Sequence, residues 1–95
     1  MEIKVLIVDD EKLERVLIKR GFPWEDHGFS VIGEASSGME ALEFIKYRKP
    51  QLVLTDISMP HMDGLELAER ISALDESIHV IMITGYREFE YARRA

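Results

Sequence analysis

Two periods of apolar and polar residues alternate along the chain. Ile3 to Val8 is a continuous apolar run, broken only by Lys4, and it stops at Asp9-Asp10. Such a β-branched run is expected of a strand covered on both faces. From Glu11 the period becomes helical, with Leu13, Val16 and Leu17 on one face and Glu11, Glu14, Arg15 and Lys19 largely on the other; Gly21 stands where a C-terminal cap is needed. Phe22 to Gly28 reads as a loop longer than an α-to-β connection requires. Phe29 to Glu34 is the second strand, and Ser36-Ser37-Gly38 opens the second helix with hydroxyls suited to capping free amides. Ala41, Leu42 and Ile45, with Phe44 beside them, form its buried face, and Lys49-Pro50 ends it. Leu52 to Thr55 is the third strand, running into Asp56. The chain then turns through Met59-Pro60 and Asp63-Gly64 into a third helix with Leu65, Ala68 and Ile71 as its stripe. After the turn Asp75-Glu76-Ser77, His79 to Ile83 is the fourth strand, and a last helical segment begins near Glu88 with Phe89 and Ala92.

Strand and helix in strict alternation predict an α/β fold, a parallel sheet with helices on both faces, because each crossover returns the chain to the same starting edge. All strands then end at one edge. Asp9, Asp10, Asp56 and Thr84 fall at those carboxyl ends, where open α/β folds keep their ligands, and they converge if the first, third and fourth strands are neighbours. A flavodoxin-like doubly wound order, 2-1-3-4, provides that neighbour relation. Periodicity alone leaves the order open.

Composition narrows the functional classes. Ninety-five residues, 46% apolar and 32% charged, make one globular domain. No apolar run approaches the ~18 residues of a membrane span, and Met1-Glu2-Ile3-Lys4 carries no signal-peptide pattern. The chain has no cysteine, which rules out disulfides and thiolate metal sites and suits a reducing cytoplasm. A formal net charge of -6 argues against nucleic-acid binding by this segment, and Arg93-Arg94 is too short to reverse that.

Three carboxylates in one crevice repel one another by ~1 to 4 kcal/mol per pair at about 4 Å. A hard divalent cation offsets this, and an all-oxygen site without cysteine suits Mg²⁺ better than zinc. One carboxylate is then placed to act as nucleophile toward a phosphoryl group, and a hydroxyl at Thr84 to hydrogen-bond one of its oxygens.

Val8-Asp9-Asp10-Glu11, the run Asp56-Ile-Ser-Met-Pro-His-Met-Asp-Gly64 and Ile83-Thr84-Gly85 together resemble the signatures of the response-regulator receiver domain of bacterial two-component signalling. The resemblance extends over essentially the whole chain. It implies a receiver in which Asp56 accepts a phosphoryl group from a sensor histidine kinase. Asp10, Asp56 and the backbone carbonyl of Ser58 would hold Mg²⁺, Asp9 would support the ion through water, and Thr84 would be the switch hydroxyl. The final run from Thr84 to Ala95 and the Phe22-Pro23-Trp24-Glu25 insertion are similar to receivers of AraC-type transcriptional regulators. On that resemblance, DNA binding belongs to a C-terminal domain outside this segment.

Receivers also continue to a fifth strand, a Lys-Pro at its end and a fifth helix. The sequence stops within or just after the fourth helix, so residues 1–95 are expected to be a receiver cut short of its usual Lys. Its fourth strand would then be an exposed edge open to self-association or strand exchange. Two other functions compete: an interaction or dimerisation module without a working switch, and a metal-dependent aspartyl phosphatase. The phosphatase places a second Asp two residues after its nucleophile, where this chain has Ser58. His27, His61 and His79 lack metal-ligand spacing, Trp24 suits loop packing, and Met39, Met59, Met62 and Met82 suit core and turn positions.

Overall fold

β1 (Ile3–Val8) lies inside the sheet, and the other strands are arranged about it. The computed structural model describes residues 2–83. Beyond β1 the order is α1 (Lys12–Arg20), a single 3-10 turn (Glu25–His27), β2 (Phe29–Ala35), α2 (Gly38–Tyr47), β3 (Leu52–Asp56), α3 (Gly64–Leu74) and β4 (His79–Ile83). The strands pair in the order β2-β1-β3-β4, every pair parallel. This is the doubly wound, flavodoxin-like arrangement. The expected fourth helix and Thr84 lie outside the described residues.

Strand alternation divides the core between the two faces of the sheet. Leu6, Val8 and Val53 pack with Ala41, Leu42 and Ile45 of α2 and Leu67 and Ile71 of α3. Val5, Ile7 and Leu54 point the other way, toward Ile18 of α1 and the rings of Trp24 and Phe29. Val5 to Val8 are fully buried, as an apolar strand with both faces covered should be. Between Val5 and Leu6 the β1–β2 register slips by one residue, bringing Gly33 opposite Leu6. A Cβ at Gly33 would lie 2.5 Å from the Phe44 ring, so the bare backbone there lets α2 sit close.

The helix ends follow their sequence signals. Ser37 Oγ accepts from Glu40 N at 3.1 Å while Glu40 Oε1 accepts from Ser36 N at 3.3 Å, a reciprocal cap of α2. Asp63 Oδ1 accepts from Glu66 N at 2.8 Å and caps α3. Gly21 does close α1, donating to Leu17 O, but in a right-handed conformation at φ -80°.

Two helix faces differ from the periodicity reading. On α1, Leu13 and Leu17 are 68% and 58% exposed, and the half-buried positions are Glu14, Arg15, Val16 and Ile18. The helix is turned so that polar side chains meet the sheet edge. On α3, Leu65 is exposed while Leu67 joins Gly64 and Ile71 in the core. A stripe containing both leucines could be phased either way, and contact with α2 selects Leu67. The long α1–β2 connection is an aromatic cluster: Phe22 meets Trp24 edge-on at 4.7 Å between ring centroids and stacks on His27 at 5.1 Å.

Candidate metal and phosphoacceptor site

Parallel pairing brings the acidic strand ends together. Val8 of β1 is the register partner of Thr55 of β3, so Asp9 and Asp56 leave neighbouring strands at the same level. Both are buried, at 1% and 5% exposure. Glu14, in the first turn of α1, completes a group of three carboxylates that can each offer an oxygen within 4.8 Å of the others.

By its helical period Glu14 belongs with the solvent-facing residues of α1, yet it is half-buried. The available signal was its spacing: it lies one helical turn beyond Asp10, on the element that begins at the acidic pair. Asp10 itself is exposed and lies outside the three-carboxylate group. Ser58 is exposed on the loop after Asp56, and Thr84 lies outside the described residues.

Asp9 is held through both its main chain and its side chain. Its N–H extends the β1–β2 ladder by donating to Ala35 O at 3.0 Å, its carbonyl accepts from Arg15 Nη1 at 2.7 Å, and its Oδ1 accepts from Glu11 N at 2.9 Å. Burial pushes its carboxyl up to about 7, aided by a hydrogen bond with Glu14 and by the charges of Asp56 and Glu14, against a lowering contribution from the Glu11 amide. Crowded carboxylates hold a proton when no cation is shared between them.

The loop after Asp56 is tied down at both ends. Met59 and Met62 insert into the core below α2 and α3, and the loop closes where Gly64 N donates to Ile57 O at 2.8 Å. A side chain at Gly64 would collide with the main-chain oxygen of Asp56 and come within 3.1 Å of Ile57 Cα. His61, between the two methionines, takes a left-handed conformation at φ 68°. The Met-Pro and Asp-Gly pairs therefore act as turn-makers that seat the carboxylate at the end of β3.

The response regulator receiver domain family matches residues 5–95. The uncharacterized transcriptional regulatory protein YesN of Bacillus subtilis is 44% identical over 92 residues, 97% of this chain and 25% of that protein. A two component transcriptional regulator AraC from Clostridium phytofermentans superposes with a TM-score of 0.83 at 37% identity, covering 99% of this chain and 73% of that chain. A CheX-CheY-BeF3-Mg+2 complex from Borrelia burgdorferi gives a TM-score of 0.75 at 34% identity, over 86% of this chain and 61% of that one. The chain thus spans about a quarter of the length of YesN. A match over nearly every residue, on a sheet wound in the order that gathers the acidic strand ends, places the chain in the response regulator receiver domain family.

Proposed function

We propose that Asp56 is the phosphoacceptor of this receiver, taking its phosphoryl group from a sensor histidine kinase in the presence of Mg²⁺. The observation that carries this reading is the meeting of Asp56 with Asp9 and Glu14 at the carboxyl edge of the sheet. The donor set is all carboxylate oxygen, and the sequence has no cysteine, which fits a hard cation. Asp10, Asp56 and the Ser58 carbonyl would hold the ion, with buried Asp9 supporting it through water. When bound, Mg²⁺ neutralises the oxygens of the incoming phosphoryl group. The BeF3 and Mg²⁺ of the related Borrelia burgdorferi CheX-CheY complex support the same assignment.

In the transfer, a carboxylate oxygen of Asp56 attacks phosphorus. The bond from phosphorus to the kinase imidazole nitrogen breaks, and its electron pair stays on that nitrogen. Burial of Asp56 excludes bulk water from the new acyl phosphate, and the hydrogen bonds to Asp9 keep a second carboxylate in place beside it. Thr84 would donate its hydroxyl to a phosphoryl oxygen and so read the modification. The added charge, about -1.5 to -2, then biases the surrounding loops.

The whole regulator is proposed to be a cytoplasmic transcription factor of the AraC type, with DNA contacts outside this segment. Among the described residues no helix is long and apolar enough to cross a membrane. Self-association along β4 is proposed as well. Beryllofluoride with Mg²⁺, added to isotope-labelled protein, should shift the amides of residues 9–11, 56–64 and 84, and Asp56→Asn should abolish those shifts. An unchanged spectrum of the unsubstituted protein overturns the phosphoacceptor reading.

A further inference from the structure

Arg15 is the residue of α1 most tightly joined to the acidic site without belonging to it. Its side chain is 15% exposed, and its guanidinium works in two directions: Nε donates to Glu34 Oε1 at 3.0 Å, and Nη1 donates to Asp9 O at 2.7 Å. Glu34 is itself fixed, being part of β2 opposite Ile7, with its second oxygen on Lys19 Nζ at 3.1 Å. Burial raises the Glu34 carboxyl, but the bonds from Lys19 and Arg15 outweigh it and hold the group below its ordinary value, so Glu34 is an anionic anchor at neutral pH.

We infer that Arg15 is a positioning residue for the cation site, a fork anchored on Glu34 that sets the main chain of Asp9. The reason is geometric. β1 ends at Val8, and past it the ladder continues in the bond from Asp9 N to Ala35 O. The Asp9 carbonyl finds its donor in Arg15, and that bond fixes the peptide plane joining Asp9 to Asp10 as the chain leaves the sheet for α1. Both acidic side chains of the opening pair take their direction from this plane. Charge alone would not favour the arrangement, because a guanidinium beside a cation site works against the cation. Lysine cannot replace the planar fork, since a single ammonium on a flexible stem does not hold two acceptors in fixed directions.

This inference rests on the Mg²⁺ reading of the acidic site. Its test is Mg²⁺ affinity of the protein, followed by amide shifts alongside thermal melts, for the unsubstituted chain, Arg15→Lys and Lys19→Gln. Arg15→Lys keeps the charge and an ion pair with Glu34 but loses the fork. Lys19→Gln breaks the other Glu34 ion pair without touching Asp9. Positioning predicts that Arg15→Lys binds Mg²⁺ about tenfold more weakly, the scale of losses when a group orienting a ligand is removed. Its melting temperature should stay near that of the unsubstituted chain, and the defect should persist at high salt, where a charge effect would fade. Lys19→Gln should bind as the unsubstituted chain does.

Equal Mg²⁺ affinity in Arg15→Lys, or an equal loss in Lys19→Gln, overturns the inference and leaves Arg15 a brace between α1 and β2. Failure of the unsubstituted chain to bind Mg²⁺ would instead sink the metal reading and this inference with it. Should Arg15→Lys not fold, the Arg15 Nε–H resonance of the unsubstituted protein decides: movement on adding Mg²⁺ supports the positioning role, and indifference overturns it.

Discussion

Asp9 and Asp56 sit on adjacent parallel strands one residue beyond a register pair, Val8 with Thr55, and with Glu14 their carboxylate oxygens gather within 4.8 Å. No sequence neighbour relation produces this meeting. It arises because two crossover connections return the chain to the same edge, so that strands far apart in sequence end side by side. The resulting crowd of like charge is an unfavourable arrangement in the ion-free protein, and that has a measurable consequence in pH.

Asp9 in the folded chain has its pKa raised from 3.8 to about 7, chiefly by burial. The folded state therefore holds a proton that the unfolded state has released. The contribution of Asp9 to stability is fully present below about pH 4, falls as pH rises through the window up to about 7, and is gone above it, a change on the order of a few kcal/mol. Glu34 has the opposite sign, its stabilisation being lost only as pH falls below its ordinary value of 4.5, so it leaves this window clear. Thermal melts of metal-free protein at a series of pH values between 5 and 8 should show a falling transition temperature. Asp9→Asn should flatten the series, and saturating Mg²⁺ should raise the transition most at the alkaline end. A transition temperature that rises with pH contradicts the sign.

Gly64 is required by space rather than by conformation. A Cβ there would meet the main-chain oxygen of Asp56, Ile57 Cα at 3.1 Å and Met82 Sδ at 3.0 Å, and two of those three are backbone atoms with little room to yield. Gly64→Ala should cost about 2 to 3 kcal/mol in urea unfolding. It should also weaken beryllofluoride binding, because the backbone that must move carries Asp56, the proposed phosphoacceptor. Loss of stability with unchanged beryllofluoride affinity would separate the glycine from the site.

The strands were legible in the sequence because a parallel sheet buries both faces of its inner strands, leaving apolar runs such as Val5 to Val8 that end abruptly on carboxylates. Strand order came from the receiver resemblance, since no local pattern encodes which strands lie side by side. Helix faces were less legible. α1 has apolar residues at 13, 16, 17 and 18, and its docking is decided by Arg15 reaching Glu34 and Asp9, long-range polar contacts that a hydrophobic period cannot register. Glu14 escaped for the same reason: in isolation it is an ordinary acidic residue favoured by the helix dipole, and only the placement of α1 over β3's end makes it part of the site. Thr84 is a sequence expectation that lies outside the described residues.

His61 carries local strain that can be relieved without touching the carboxylates. Its φ of 68° lies in the left-handed region, and its side chain is exposed. Left-handed backbone costs a non-glycine residue roughly 1 to 2 kcal/mol, whereas glycine gives back about 0.5 to 1 through its freer unfolded chain. His61→Gly should therefore stabilise the protein by about 0.5 kcal/mol, and β-branched His61→Val should destabilise it by about 1 kcal/mol. Paired urea melts measure both. A stabilising valine would show that the loop does not hold this conformation in solution.

β4 is the edge of the sheet among the described residues, hydrogen-bonded to β3 alone, and it exposes His79 together with 49% of Ile81. An apolar edge strand presents a row of N–H and C=O groups to any second strand that approaches. The 95-residue chain should accordingly show a mass above that of a monomer in light scattering, rising with concentration. A charge on the strand opposes such pairing, so Ile81→Lys should return the chain to a monomer with an unchanged circular dichroism spectrum. A strictly monomeric unsubstituted chain at every concentration removes β4 as an association surface. Association that survives Ile81→Lys moves the contact elsewhere, with the exposed Leu13 and Leu17 of α1 the next surface to substitute.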